Sequence, residues 1–134
     1  MIENFISIDE GGKTGFSPKN LLLGETQVFK SKNKKIIYEI FLVRFPPKGD
    51  IIKKIKKNSN LYAFKNLCPH KHVTLDLKPG VFLNYEKNYI QCSTHGALFR
   101  IQDGYCVKGP CAGKYLEKID FIIKNDEIIF FIDK

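Results

Sequence analysis

A chain of 134 residues, 43% hydrophobic and 27% charged, is of single-domain size and can bury a core without covalent staples, which argues against a disordered tract or a disulfide scaffold. Its apolar runs stop far short of the about 20 residues of a membrane helix, and Met1-Ile2-Glu3-Asn4-Phe5 lacks the basic-then-apolar pattern of a signal peptide, so a cytoplasmic protein with no membrane partner is expected. The net charge of +8 comes almost wholly from lysine, with Arg44 and Arg100 the only arginines, so it reads as composition and no nucleic-acid partner is expected.

In chain order, residues 9–20 are punctuated by Gly and Pro and read as a loop, and Lys19–Glu25 carries a weak helix signal. The lysine clusters Lys30–Lys35 and Lys48–Lys57 sit among Asn, Ser, Gly or Pro and read as solvated loops and strand edges. Ile36–Phe45 is a long β-prone run stopped by Pro46-Pro47, and Leu61–Phe64 is short and apolar. Val81–Tyr85, Tyr89–Cys92 and Ala97–Ile101 read as further strands, with a hairpin around Asn84–Asn88. Tyr115–Lys124 and Glu127–Ile132 read as a closing hairpin turning at Asn125-Asp126. Many short strands separated by turn residues predict an all-β domain.

Two segments carry chemistry. Cys68-Pro69-His70-Lys71-His72 and Cys92-Ser93-Thr94-His95-Gly96 each offer a thiol and an imidazole within a few residues. A hairpin between them would bring the two loops side by side, presenting two thiolates and two imidazoles to one small object. Four cysteines without a signal peptide also favour metal over disulfides. Zinc accepts two Cys and two His, but its usual knuckles pair like with like. Here each loop mixes the two, as a two-iron cluster with unlike ends requires.

These loops resemble the ligand loops of the Rieske [2Fe–2S] family. Leu61-Tyr62-Ala63-Phe64-Lys65-Asn66 resembles the strand entering the first loop, and Leu75-Asp76 the segment after it. Gly96-Ala97-Leu98-Phe99, Asp103-Gly104 and Gly109-Pro110 resemble the second loop, its hairpin and the proline loop that shields the cluster. The resemblance covers about residues 35–134, with a longer spacing between the loops than in the commonest ferredoxin-type members. It implies an all-β fold of three antiparallel sheets with a small cluster-binding subdomain. It implies one domain over 1–134, its cluster-binding part at about 61–112, with residues 1–34 an unassigned N-terminal extension. It also implies one [2Fe–2S] cluster, with Cys68 and Cys92 on one iron and His70 and His95 on the other.

The implied role is transfer of single electrons as a soluble, ferredoxin-like component of an oxygenase or reductase system, with a reductase, a terminal oxygenase or both as redox partners. The chain is expected to be a carrier rather than a complete enzyme, with no catalytic residues. Its three histidines leave too few for a two-His-one-carboxylate iron site beside the cluster. An accessory or structural subunit of a redox complex, and less favourably a zinc module, stay open. His72 reads as an exposed turn residue, Gly96 as a tight turn and Pro110 as a cap on the cluster's edge. Some Rieske proteins join their ligand loops with a disulfide. Its positions here are Val73 and Thr94, so that bond cannot form; Cys106 and Cys111 are expected as free thiols. High-potential members also place a Ser and a Tyr two and four residues after the second ligand histidine. Ala97 and Phe99 stand there, which implies a potential in the lower part of the Rieske range of roughly −150 to +300 mV.

Overall fold

The computed structural model describes residues 5–31, 39–45, 60–69, 74–76, 80–92 and 96–131. Among them lie nine strands in three sheets and one single-turn 3-10 helix, Pro18–Asn20, so the all-β expectation holds. The first sheet has the order β1 (Phe5–Ile8), β2 (Thr26–Ser31), β3 (Glu39–Arg44), β4 (Leu61–Lys65). The second is β5 (Ile90–Gln91), β6 (Leu98–Phe99), β7 (Cys106–Lys108), and the third pairs β8 (Phe121–Lys124) with β9 (Glu127–Phe130).

The first sheet separates two cores, and side-chain alternation explains how. Successive residues of a strand face opposite sides. Along β3, Ile40 and Leu42 enter one core while Phe41 and Val43 enter the other; Val28 and Phe29 of β2 divide the same way. A sheet buried on both faces needs a near-continuous apolar run, which is what Ile-Phe-Leu-Val supplies in β3. One core holds Phe29 edge-on against Phe16 and Phe130 and is closed by the β8–β9 hairpin. In the other, Phe41 stacks on Phe82 at 4.1 Å between ring centres, and all four cysteines belong to it.

The chain passes between the cores along the outer edge of β4. Lys65 N–H donates to Glu117 O at 2.9 Å, and Ile119 N–H donates to Ala63 O at 2.9 Å. Those bonds satisfy the backbone edge that β4 would otherwise present.

Several expectations need correcting. The sheets are not all antiparallel: β1 and β2 run parallel, joined by the long connection through residues 9–25. The segment left unassigned by sequence supplies both strands, and Ile8, Phe16, Leu21 and Phe29 from it are core residues. Lys19–Glu25 forms no helix. Its 3-10 turn ends at Asn20, Glu25 N–H then closes a turn onto Leu22 O, and Gly24 takes a φ of 81° while donating to Arg44 O. Val81–Tyr85 is no strand beyond a single bridge from Leu83 to Ile90, because the Asn84 side chain accepts from the N–H groups of Asn88 and Tyr89 and closes the turn instead. Tyr115–Lys124 is strand only in its last four residues. The turn at Asn125-Asp126 forms as expected, with φ of 52° and 61°. The Lys48–Lys57 run lies outside the described residues.

Candidate metal centre

The first loop leaves β4 through Asn66, which is 2% exposed. Its Oδ1 accepts from Leu75 N–H at 2.8 Å, and its Nδ2 donates to Asp76 Oδ1 at 2.8 Å and to Glu39 Oε1 at 3.1 Å. Asp76 Oδ2 in turn accepts from Gly80 N–H at 2.9 Å. One buried amide therefore ties both ends of the loop carrying Cys68 and His70 to β3. The sequence placed Asn66 and Asp76 beside the loop but gave them no role. The only signal available was a pair of polar residues flanking the segment that carries Cys68 and His70.

The second loop begins where β5 ends. Cys92 N–H donates to Ala97 O and Gly96 N–H donates back to Cys92 O, each at 2.9 Å. Those two bonds join Cys92 to Gly96 and Ala97. Gly96 has a φ of 69°, a conformation glycine adopts without a Cβ penalty, as the tight-turn reading requires. The chain does turn back between the loops, though without the expected first strand: Asn84 N–H donates to Tyr89 O at 3.0 Å, and Lys87 N–H donates to Asn84 O at 2.9 Å.

Cys68 and Cys92 end in the same core, 2% and 0% exposed. His70 and His95, like His72, lie outside the described residues. A pair of thiols shielded from water, at the bases of two loops that each carry a histidine in sequence, fits the thiolate end of an iron–sulfur cluster. Soft ligands and a low-polarity surround both favour it.

A third loop covers this region. Cys106 N–H donates to Lys114 O at 2.8 Å and Gly113 N–H to Cys106 O at 3.1 Å, so residues 106–114 form a closed ribbon. Gly109 in it has a φ of 109°, and a Cβ there would stand 2.8 Å from the Cα of Ala97. The ribbon therefore rests directly on the second cysteine loop. Pro110, expected to cap the cluster's edge, is on the exposed face of this ribbon. Cys106 and Cys111 belong to this ribbon, and both are buried. Their sulfurs are 3.0 Å apart. Burial pushes the Cys111 thiol up to about 12; the Cys106 thiol against it and the nearby Cys68 sulfur add to the shift.

At the far end of the second sheet, the Arg100 guanidinium grips the Asp103 carboxylate and stacks over the Tyr105 ring, with 4.8 Å to its centre. The hydrogen bond from Arg100, and then that from Tyr105 N–H, hold the Asp103 carboxyl below its usual range.

Among known proteins, the family model described as "Rieske [2Fe-2S] domain" matches residues 22–124. A search of curated proteins returns no match. The ferredoxin of carbazole 1,9a-dioxygenase from Nocardioides aromaticivorans IC177 is similar in structure, with a TM-score of 0.55 and 20% identity, over 86% of this chain and 91% of that one. The terminal oxygenase of carbazole 1,9a-dioxygenase from Novosphingobium sp. KA1 aligns with a TM-score of 0.62 and 16% identity, over 89% of this chain but 29% of its own length. The corresponding oxygenase from Nocardioides aromaticivorans IC177 gives 0.62 and 16%, over 98% of this chain and 31% of that one. The chain thus spans less than a third of the oxygenases, and at these identities the likeness is one of fold. With a family match across most of the chain, three sheets in the matching arrangement and two buried cysteines at the loop bases, this chain belongs to the Rieske [2Fe–2S] domain family, whose domain holds one [2Fe–2S] cluster on two cysteines and two histidines.

Proposed function

We propose that this chain is a one-electron carrier of the ferredoxin type, working in the cytoplasm between a reductase and a terminal oxygenase, with Cys68, His70, Cys92 and His95 as the cluster ligands. When bound, the cluster takes up and gives back a single electron, preferentially at the histidine-ligated iron. The protein's own residues then have a positional task. Asn66 and Asp76 hold the first loop closed, the bonds of Cys92 to Gly96 and Ala97 hold the ends of the second, and the 106–114 ribbon keeps water from the thiolate end.

The observation that carries this reading is the convergence of Cys68 and Cys92, both buried, at the bases of two loops that each contribute one Cys-x-His or Cys-x-x-His motif. The ferredoxin role is supported by the match over nearly the whole length of a solved ferredoxin of an oxygenase system. The similarity to terminal oxygenases favours a second reading, in which this chain is the electron-receiving module of a larger oxygenase.

The test has two arms. Cys68→Ala and Cys92→Ala should each lose iron, sulfide and the visible spectrum, while His70→Cys and His95→Cys should keep a cluster with a shifted spectrum and a lower potential. A Cys92→Ala protein with full iron and sulfide rejects the ligand set. Mixed with a flavin-dependent reductase and a terminal oxygenase, the loaded wild-type protein should restore turnover that neither partner supports alone.

A further inference from the structure

The cluster uses two of the four cysteines, and nothing in the proposed function employs Cys106 and Cys111. Both lie in the core shared with the ligand cysteines, 0% and 1% exposed. Their sulfurs stand 3.0 Å apart, and Cys106 Sγ also lies 3.3 Å from Lys108 O. Two sulfurs already facing each other need approach by only about 1 Å to reach disulfide bonding distance. The residues between and beyond them are on the surface: positions 107–110 and 112–115 are all exposed. The chain on either side of the two buried cysteines is therefore at the surface, and exchange with a small reagent requires that ribbon to shift.

We infer that Cys106 and Cys111 form a thiol–disulfide site, separate from the cluster ligands, that a low-molecular-weight disulfide such as oxidised glutathione oxidises reversibly. The chemistry balances in two exchanges. One cysteine sulfur attacks the glutathione disulfide, its S–H proton leaves, and the glutathione S–S bond breaks to release one glutathione thiol and leave a mixed disulfide. The second cysteine sulfur attacks the protein-side sulfur of that mixed disulfide, loses its proton and releases the second glutathione thiol. In sum the dithiol gives up two electrons and two protons, and one oxidised glutathione becomes two reduced ones.

The position gives the site its consequence. Gly109, inside the ring that the bond would close, rests against Ala97 of the second cysteine loop. The N–H of Cys92 is held by the carbonyl of that same Ala97. Closing the ring fixes the ribbon over that loop, so the oxidised protein should release its cluster more slowly to a chelator than the reduced one. The thiol–disulfide site goes beyond the electron-carrier reading and does not depend on it; its effect on cluster release rests on the ligand set proposed above.

The experiment uses the full, cluster-loaded chain, prepared without oxygen. It is equilibrated over a series of reduced-to-oxidised glutathione ratios, because burial slows exchange and only the equilibrium is informative. Samples are acid-quenched, unfolded, alkylated with N-ethylmaleimide and mapped by peptide mass. The expected result is that Cys106 and Cys111 escape alkylation together, with a loss of two hydrogens from the intact mass, while iron and sulfide content stay constant. Dithiothreitol should restore both thiols. In Cys111→Ala the loss of two hydrogens should vanish, and the wild-type mapping stands on its own should that variant fold poorly. Full alkylation of both residues at every ratio overturns the inference, as does stable glutathionylation of one of them or a bond linking Cys68 to Cys92. A wrong ligand set would appear separately, as iron and sulfide retained in Cys92→Ala.

Discussion

At the scale of single residues, the proposed ligand set makes two positions informative for what their side chains lack. Ala97 is 1% exposed and Phe99 is 0% exposed, and neither can donate a hydrogen bond. The Rieske resemblance puts hydroxyl donors to the cluster sulfurs at these positions in high-potential members. Without them, the added negative charge of the reduced cluster is less stabilised. The wild-type potential should therefore fall in the lower part of the roughly −150 to +300 mV Rieske range. Ala97→Ser is the cleaner probe, since it adds one small oxygen; Phe99→Tyr must fit a hydroxyl into a filled core at a cost of about 1–3 kcal/mol. Voltammetry should show a rise in potential for each variant that folds. A wild-type value well above zero would remove the hydroxyl argument.

At the scale of elements, the loop that carries Cys68 is tied down by the Asn66 side chain at its start. Asn66→Ala removes the acceptor of Leu75 N–H and the donor to Asp76 and Glu39. A buried N–H without an acceptor costs about 1–3 kcal/mol, and the lost bonds add to that. The expected outcome is a protein destabilised by about 2–4 kcal/mol in denaturant unfolding, with faster loss of its cluster to a chelator. Unchanged cluster release would mean that the loop is held by other contacts. Asn66→Asp should fall between, because it keeps the acceptor for Leu75 N–H but meets Asp76 and Glu39 as a third carboxylate.

At the scale of the whole molecule, a buried guanidinium ties the 3-10 turn of the N-terminal segment to β3, beside the strand pairing and core packing of that segment. Arg44 is 7% exposed, and its Nε donates to Leu21 O at 2.7 Å and its guanidinium NH2 to Pro18 O at 2.8 Å. Burial lowers its pKa from the ordinary value, yet the group stays charged at any physiological pH. Arg44→Met keeps much of the apolar stem but leaves the Leu21 and Pro18 carbonyls without these donors, and should cost about 2–4 kcal/mol by denaturant unfolding. Arg44→Lys should recover only part, since a single ammonium lacks the fork that reaches both carbonyls. Equal stability of Arg44→Met and wild type would show that the 3-10 turn is held by its apolar contacts alone.

The sequence by itself determined whatever rests on neighbouring residues. The Cys-x-His and Cys-x-x-His loops, the β-prone runs around Glu39–Arg44 and Leu61–Lys65, the Asn125-Asp126 turn and the Gly96 turn were all legible there, because short spacing and local backbone preference fix them. Only the tertiary structure decided what depends on residues far apart in the chain. The parallel pairing of β1 with β2 carries no local signature, since it needs a long crossover whose path is set by packing. The helix reading of Lys19–Glu25 failed for a similar reason: Arg44, more than twenty positions away, claims the carbonyls of Pro18 and Leu21. Asn66 and Asp76 looked like ordinary loop-flanking polar residues until the fold buried one against the other. Cys106 and Cys111 stand on either side of four residues whose spacing permits contact but does not require it. The ribbon's own backbone bonds, and its seating on Ala97, bring the two sulfurs together.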